Sequence, residues 1–528
     1  MAADYARDAA PPAMTLLHRS RATHNEISSS VRAFVLFVIF TLSSYISRRR
    51  ARRIFIAQNE CRPIRCQYPS KIPILPLDFT WSSIKASREK KYLETLTWRY
   101  RNVGNTYSVH TPAKTFIMTI EPENIKTILS LRFNDFSLGE RPPIMGPMLG
   151  NGIFTLDGQE WSHSRSLLRP NFCKDQVADI QTFEHHMRDL LRLIPRDGST
   201  VDLQKLFFRF TLDSATHFLF GHSVHSLSEN SEFDRTFEDA FDYALGEIAI
   251  QFRLGPLRGF RRNPKAQNAY KICRDYVGRF VEQAVALKQS PHLKDPEEVE
   301  EGAPRNFFLK MLAQATDDKA KIRDELLNVL IAGRDTTAGL LSNLFFALAR
   351  SPDDWQKLRE ETSSLAGKPP SYEQLRSMKH VKYCLQEALR LWPPIPTNTR
   401  LAVRDTVLPR GGGLNGDEPL LVPKGCTVSY AVYAMHRRKD LWGEDAEEFR
   451  PGRWEGRRHA WDYLPFNGGP RICLGQQYAL TEASYVLIRL VQEFARLQPR
   501  DALPWTEMVT ISLSSANGVK VALTNDED

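Results

Sequence analysis

The stretch Phe466-Asn-Gly-Gly-Pro-Arg-Ile-Cys-Leu-Gly475 constrains this chain more than any other. It sets one cysteine, Cys473, among glycines directly ahead of an apolar helical pattern over 476–494. Gly468 and Gly469 let the backbone pass close to a flat ligand, Gly475 admits a tight turn, and Arg471 offers a cation to an anionic group. At the start of a helix, orphan N–H groups and the dipole favour a thiolate and spread its charge through hydrogen bonds to sulfur. A small buried cysteine beside a glycine turn is the blander reading. The pattern F-x-x-G-x-R-x-C-x-G, with five of ten positions fixed, weighs against it.

With 528 residues, 42% hydrophobic and 25% charged, the composition is that of a large globular protein of one big domain or two ordinary ones. Seven cysteines, an odd number without framework spacing, imply reduced thiols facing the cytosol. Cys61 and Cys66 lack the second pair that a zinc knuckle needs. A net charge of +9 is compatible with nucleic acid, an anionic membrane or an acidic protein partner, and no nucleic-acid motif is present. Part of the excess lies in Arg48-Arg-Arg-Ala-Arg-Arg53. Arg437, Arg438, Lys439, Arg457 and Arg458 lie close in sequence to the cysteine loop, as a docking surface or a solvated face.

Taken in order, residues 1–30 read as a polar, disordered leader. An apolar run at 33–46, followed by five arginines, predicts a transmembrane anchor over 31–47 with everything after it on the cytosolic side. Residues 48–76 read as a basic linker stiffened by Pro69, Pro73 and Pro76, leaving 77–528 as the folded domain. β-rich stretches at 107–109 and 115–120, separated by the turn signal His110-Thr-Pro, predict a hairpin. Residues 139–158 read as a Gly- and Pro-rich loop with apolar side chains that fold over an apolar ligand or merely connect two helices. Trp161 and Arg165 share a helix face, where an indole N–H and a guanidinium suit a buried carboxylate.

One long buried helix is predicted over 317–350. Gly333-Arg-Asp-Thr-Thr337 interrupts its otherwise apolar centre, which needs either a kink with solvated side chains or a function. Glu387 and Arg390 lie three apart on the next helix, and Arg453 downstream completes a candidate ion network for fold integrity and cofactor retention. Residues 427–433 read as a strand. Residues 508–513 and 519–523 read as a hairpin around Asn517-Gly518.

These motifs, in this order from about Pro69 onward, resemble the cytochrome P-450 family of haem-thiolate monooxygenases. The surroundings of His436 and of Cys473 resemble the fungal membrane-bound branch that hydroxylates alkanes and fatty acids. The resemblance implies a mainly α fold with small β-sheets and makes 77–528 the catalytic domain. It implies haem b, iron protoporphyrin IX, with Cys473 as the metal ligand and Phe466, Arg471 and Gly475 in the cofactor loop. It places Trp161, Arg165 and Arg400 at the haem propionates, and makes Asp335 and Thr336 the catalytic pair that delivers protons to bound dioxygen. Only 55 residues follow Cys473, too few for a fused reductase, so electrons are expected from a separate NADPH-cytochrome reductase at the endoplasmic reticulum. The implied substrate is an extended apolar small molecule of the fatty-acid or alkane type. Fungi also use relatives of this branch on polyketide or terpenoid intermediates, which is the alternative.

Overall fold

The computed structural model describes residues 13–70, 78–111, 114–172, 180–228, 231–288 and 307–525. The chain divides into two compact units, Met1–Arg62 and Pro63–Asp528.

The first unit is a single helix, Ala13–Gln58. It replaces the irregular leader from residue 13 and the extended linker up to residue 58; residues 1–12 lie outside the described set. The helix continues because no proline interrupts it before Pro63 and arginine is a good helix former. The anchor expected over 31–47 is not supported: among the described residues no helix is long and apolar enough to cross a membrane. The apolar run at 33–46 falls short of the ~20 residues a span needs, and Ser43 and Ser44 interrupt it.

The second unit begins inside the expected linker. Cys66–Gln67 pairs in parallel with Thr106–His110, and Ile64, Cys66 and Tyr68 pack on the apolar core beneath that sheet. Burial of those three side chains is what turns a linker into an edge strand. Pro73 and Pro76 lie outside the described residues.

The fold is mainly helical with small sheets, as expected. The largest sheet has six strands in the order Cys66–Gln67, Thr106–His110, Thr115–Thr119, Thr427–Tyr430, Asn398–Ala402 and Phe136–Ser137. Its predicted hairpin forms, with Tyr107 opposite Met118. The strand expected over 427–433 stops at Tyr430, and Val432–Met435 turns helical.

The long helix is present as Lys319–Leu348 and is buried along most of its length, packing chiefly on Leu203–Phe220. Near its middle, a Cβ on Gly339 would sit 2.6 Å from the Leu513 carbonyl oxygen, so only glycine lets the C-terminal hairpin lie against this helix. That hairpin is not the predicted one. Glu507–Val509 pairs with Leu513–Ser515, whereas Lys520–Thr524 pairs with Arg496–Pro499 and Val201–Asp202. Asp202 accounts for the difference: its carboxylate takes the Val519 N–H at 2.8 Å and fills the space a side chain on Gly518 would need. Residues 139–158 are not all loop either. Arg141–Leu149 is helical, started by prolines in its first turn, with Ile144, Met145, Met148 and Leu149 in the core.

The expected ion network forms. Glu387 Oε2 accepts from Arg390 Nε at 2.9 Å and from Trp454 Nε1 at 2.9 Å, while Oε1 accepts from Arg453 Nε at 2.7 Å and from the Arg450 backbone N–H at 2.9 Å. Arg390 also donates to the carbonyls of His436, Ala446 and Glu448. Neither Glu387 nor Arg390 has any exposed side-chain surface. Glu387→Ala leaves the buried Arg390 guanidinium without a carboxylate and Arg453 with Asp445 alone, and is expected to cost roughly 3–5 kcal/mol. Chemical denaturation of the full chain reads this loss. Glu387→Asp, which keeps the charge but shortens its reach, is expected to lose less.

Candidate active site

The cysteine loop leads into the helix Gln476–Glu493, within one residue of the expected span. The loop is closed by the Cys473 N–H donating to the Phe466 carbonyl at 3.0 Å. Asn467 takes a left-handed φ of 63°, where asparagine is tolerated better than most residues, and its Oδ1 accepts from the Tyr430 hydroxyl at 3.1 Å. Gly469 has φ +67° and presses so closely on the Leu129 carbonyl that a Cβ there would lie 1.8 Å from the oxygen. No other residue fits that contact.

Cys473 is exposed yet crowded by protein on most sides. Desolvation therefore raises its thiol above the ordinary value, while a hydrogen bond from the Gly475 N–H and the nearby Arg165 cation pull it back down. Among the other described cysteines, Cys66, Cys273, Cys384 and Cys426 form no disulfide. Burial pushes Cys273 up to about 12 and Cys426 up to about 11, and neither is touched by a cation that would lower it. Cys173 lies outside the described residues.

Four guanidinium groups converge beside the loop. Arg471 stacks over Trp161 at 4.3 Å and donates to the Leu156 carbonyl and to Asp157 Oδ1 at 2.8 Å. Arg165 reaches the Ile472 carbonyl at 2.9 Å. Arg400 and Arg141 both donate to Asn398 Oδ1, at 3.0 and 2.8 Å. Burial, with help from its cationic neighbours Arg400, Arg141 and Arg165, drives Arg471 down to about 9 despite Asp157. Burial, with Arg400 beside it, takes Arg141 down to about 10. Asp157 is the one carboxylate that raises either group, so the cluster carries a surplus of buried positive charge. A ligand with two carboxylates would relieve it. The propionates of a haem meet that requirement, and the residues present fit the group.

Trp161, Arg165, Arg400 and Arg471 were legible in sequence, and the structure brings them together. Arg141, Asp157 and Asn398 were not, because they sit in a helix start, a helix cap and a strand with no periodic signal.

The central helix carries the interrupted segment. The Thr336 hydroxyl is half-buried and donates to the Ala332 carbonyl at 2.7 Å. Asp335 is buried, and desolvation raises its carboxyl above the usual range while the Arg334 guanidinium opposes the shift. Arg334 bridges Asp335, at 3.2 Å, to Asp242 on the helix Glu232–Leu254. The Asp242 side chain is 55% exposed, so the chain of charges runs from the helix centre to water.

Glu482, on the cysteine helix, carries a signal that sequence reading missed. It is buried between the Ser214 and Thr337 hydroxyls, which lower its pKa only partway; neither carboxyl oxygen has a fully formed hydrogen bond. Desolvation pushes its carboxyl up to about 8. In the sequence it is an ordinary acidic residue in a helix.

The basic residues proposed as a docking surface are mostly engaged internally. Arg437 is buried over Tyr433 and bonded to Glu447 at 3.0 Å. Arg438 bonds Glu121 and Asp440, Lys439 bonds Glu444, and Arg457 meets Asp462.

A thiol on a glycine turn beside a surplus of buried guanidinium groups is the arrangement a haem-thiolate protein needs. The chain belongs to the cytochrome P450 family, whose model, described as Cytochrome P450, matches residues 72–518. It is similar to the cytochrome P450 monooxygenase himC of Aspergillus japonicus, with 59% identity over 88% of this chain and 84% of the relative. Cytochrome P450 monooxygenase fsdH of Fusarium heterosporum is 48% identical over 97% of this chain and 92% of its own length. Cytochrome P450 52A12 of Debaryomyces hansenii is 42% identical over 84% of this chain and 89% of its own length. The chain is a haem-dependent monooxygenase.

The Glu482 environment has a consequence for pH. The folded state keeps the proton up to about pH 8, whereas an unfolded glutamate releases it near 4.3. Between those values the folded state binds more protons, so this contribution is fully present below about pH 4 and is lost as pH rises toward 8. The slope approaches about 1.4 kcal/mol per pH unit for a group shifted this far. Glu482→Gln is expected to match the parent near pH 5 and to exceed it in thermal midpoint at pH 8. A parallel loss of stability in both proteins across that range would contradict the assignment.

Proposed function

We propose that the chain hydroxylates an unactivated C–H bond on an extended apolar substrate of the fatty-acid or alkane type. Dioxygen is the oxidant, and electrons come from a separate NADPH-cytochrome reductase. The observation that carries the substrate class is a set of apolar side chains left in contact with solvent around one end of the helix Glu232–Leu254. Phe252 is 43% exposed near its C-terminus, Phe260 is 89% exposed in the turn that follows, and Met508 is 39% exposed on the C-terminal hairpin. Arg253 ties that helix end to the hairpin by donating to the Val509 carbonyl. An apolar chain entering between these elements would cover them.

Haem, when bound, supplies oxygen binding and reduction at iron. The chain's own residues do the rest. Cys473 holds the iron through its sulfur, with the Gly475 N–H moderating the thiolate charge. Phe466 and Gly475 shape the loop, and Trp161, Arg165, Arg400 and Arg471, with Arg141, hold the propionates. Asp335 and Thr336 move protons into the site, while Arg334, held between Asp335 and the solvent-exposed Asp242, orients the Asp335 carboxylate. Glu387, Arg390 and Arg453 keep the segment ahead of the cysteine loop in place.

This work is done at the cytosolic face of the endoplasmic reticulum. The exposed Phe34, Phe37 and Phe40 and the arginines that follow favour a helix lying at the membrane surface.

A second reading is a tailoring oxidation of an alkyl-bearing polyketide or terpenoid intermediate. It is favoured by the greater similarity to the Aspergillus and Fusarium monooxygenases than to cytochrome P450 52A12.

The deciding experiment reconstitutes the full chain with haem, a reductase and NADPH and offers fatty acids, alkanes and polyketide-like lipids. A product heavier by one oxygen from the fatty acids supports the first reading, and turnover of the polyketides alone supports the second. The reduced CO-bound protein is expected to show a thiolate-type Soret band that Cys473→His abolishes; its persistence would remove Cys473 from the iron. Thr336→Ala is expected to keep consuming NADPH while the yield of oxygenated product falls about tenfold or more, the remaining electrons appearing as peroxide or water. Full coupling in that variant would remove the hydroxyl from proton delivery.

A further inference from the structure

Away from the cysteine loop, the helix Ile180–Arg192 and its neighbour Leu203–Phe220 bring together imidazoles that the oxidation chemistry does not use. His185 is exposed and His186 is buried, with Asp189 between those extremes. On one helix, His185 and Asp189 are four apart and His186 and Asp189 three apart, so all three approach the same face. One donor atom from each lies within 4.8 Å of the other two. A tetrahedral zinc centre, with bonds of about 2.0–2.2 Å, needs its donors somewhat over 3 Å apart. Small side-chain torsions close that gap. We propose that His185, His186 and Asp189 form a binding site for a divalent ion of the zinc type.

A fourth side chain prepares one of the ligands. His186 Nε2 lies 3.0 Å from His217 Nδ1 on the neighbouring helix, and only one proton fits between two ring nitrogens at that distance. When His186 coordinates through Nδ1, its Nε2–H donates to His217, which sets both tautomer and ring orientation. His217 is thus a positioning residue that links the site to the second helix. Two imidazoles and a carboxylate suit zinc and its late-transition-metal neighbours better than calcium or magnesium, which prefer all-oxygen sites. One group competes: Arg192 bonds Asp189 at 2.8 Å, but its side chain is 75% exposed and free to swing into water.

The position gives the ion something to hold. Next to His185 on the same helix, Glu184 accepts from the Tyr485 hydroxyl at 2.6 Å and from Arg489 Nε at 3.0 Å, both on the helix that follows Cys473. An ion on the histidines stiffens the helix that carries this clamp.

The test is calorimetric titration of untagged, haem-loaded full-length protein with zinc sulfate at pH 7.5, paired with cobalt(II) absorption in the visible. The expected result is one low-micromolar zinc site and an intense tetrahedral-type cobalt band. His185→Ala alters an exposed residue and leaves the CO-bound spectrum unchanged, and it should weaken zinc at least tenfold. His217→Gln should weaken it about 10–100-fold while His185 and Asp189 remain intact, and Arg192→Gln should tighten it. Unchanged zinc affinity in His185→Ala, or binding in the parent no tighter than millimolar, overturns the proposal. Should His217→Gln fail to fold, His185→Ala decides the question alone.

Discussion

Glu387 is a carboxylate with no exposed surface, and its donors come from two parts of the chain. Arg390 is one turn away on the same helix, whereas Arg453, Trp454 and the Arg450 N–H arrive from some sixty residues downstream. Through Arg390, the same carboxylate fixes three further carbonyls in the segment 436–448. That segment in turn holds the loop: His436 Nε2 accepts from the Leu464 N–H, two residues before Phe466. The position of the cysteine turn is therefore inherited from one buried charge cluster. Such a cluster contributes little net stability compared with apolar packing, but it tolerates the removal of no single partner.

The second organising constraint is an imbalance rather than a balance. Around Glu387 every charge is answered; beside Cys473 it is not. Arg141, Arg165, Arg400 and Arg471 share Asp157 and a few neutral acceptors, and Arg471 is pushed down to about 9 by burial and by the other cations. A folded chain carries such a surplus in its interior only where a bound anion is part of the working structure. The same contrast separates the thiols. Cys273 and Cys426 are buried without a nearby cation, while Cys473 combines exposure with the Gly475 N–H and Arg165. A cluster elsewhere, His185 with His186 and Asp189, has ligand chemistry of another kind and stands outside this arrangement.

Legibility in the sequence followed locality. The helix Lys319–Leu348, the helix Gln476–Glu493 and the hairpin of Thr106–His110 with Thr115–Thr119 were readable because their signals are periodic and close in sequence. The C-terminal pairing was misread because Asn517-Gly518 is a good hairpin turn locally, and the competing claim comes from Asp202, more than three hundred residues upstream. The basic group Arg437 to Lys439 looked like a free surface because Glu121 lies far from it in sequence, and even the nearby Glu447 carries no pairing signal. The apolar run at 33–46 with the arginines after it read as an anchor, and its length does not sustain that.

The sequence by itself determined the chemistry that can be done: a cysteine on a glycine turn, guanidinium groups for anions, an acid and a hydroxyl inside an apolar helix. These are statements about residue type and spacing within a turn or two, and local rules carry them. Tertiary structure alone decided which charges would be left unpaired. It recruited Arg141 to the cluster through Asn398, joined Asp335 to water through Arg334 and Asp242, and buried Glu482 where it keeps its proton up to about 8. Solvation is the reason. The energy of a charge depends on everything packed around it, and that environment is assembled from segments no local pattern connects.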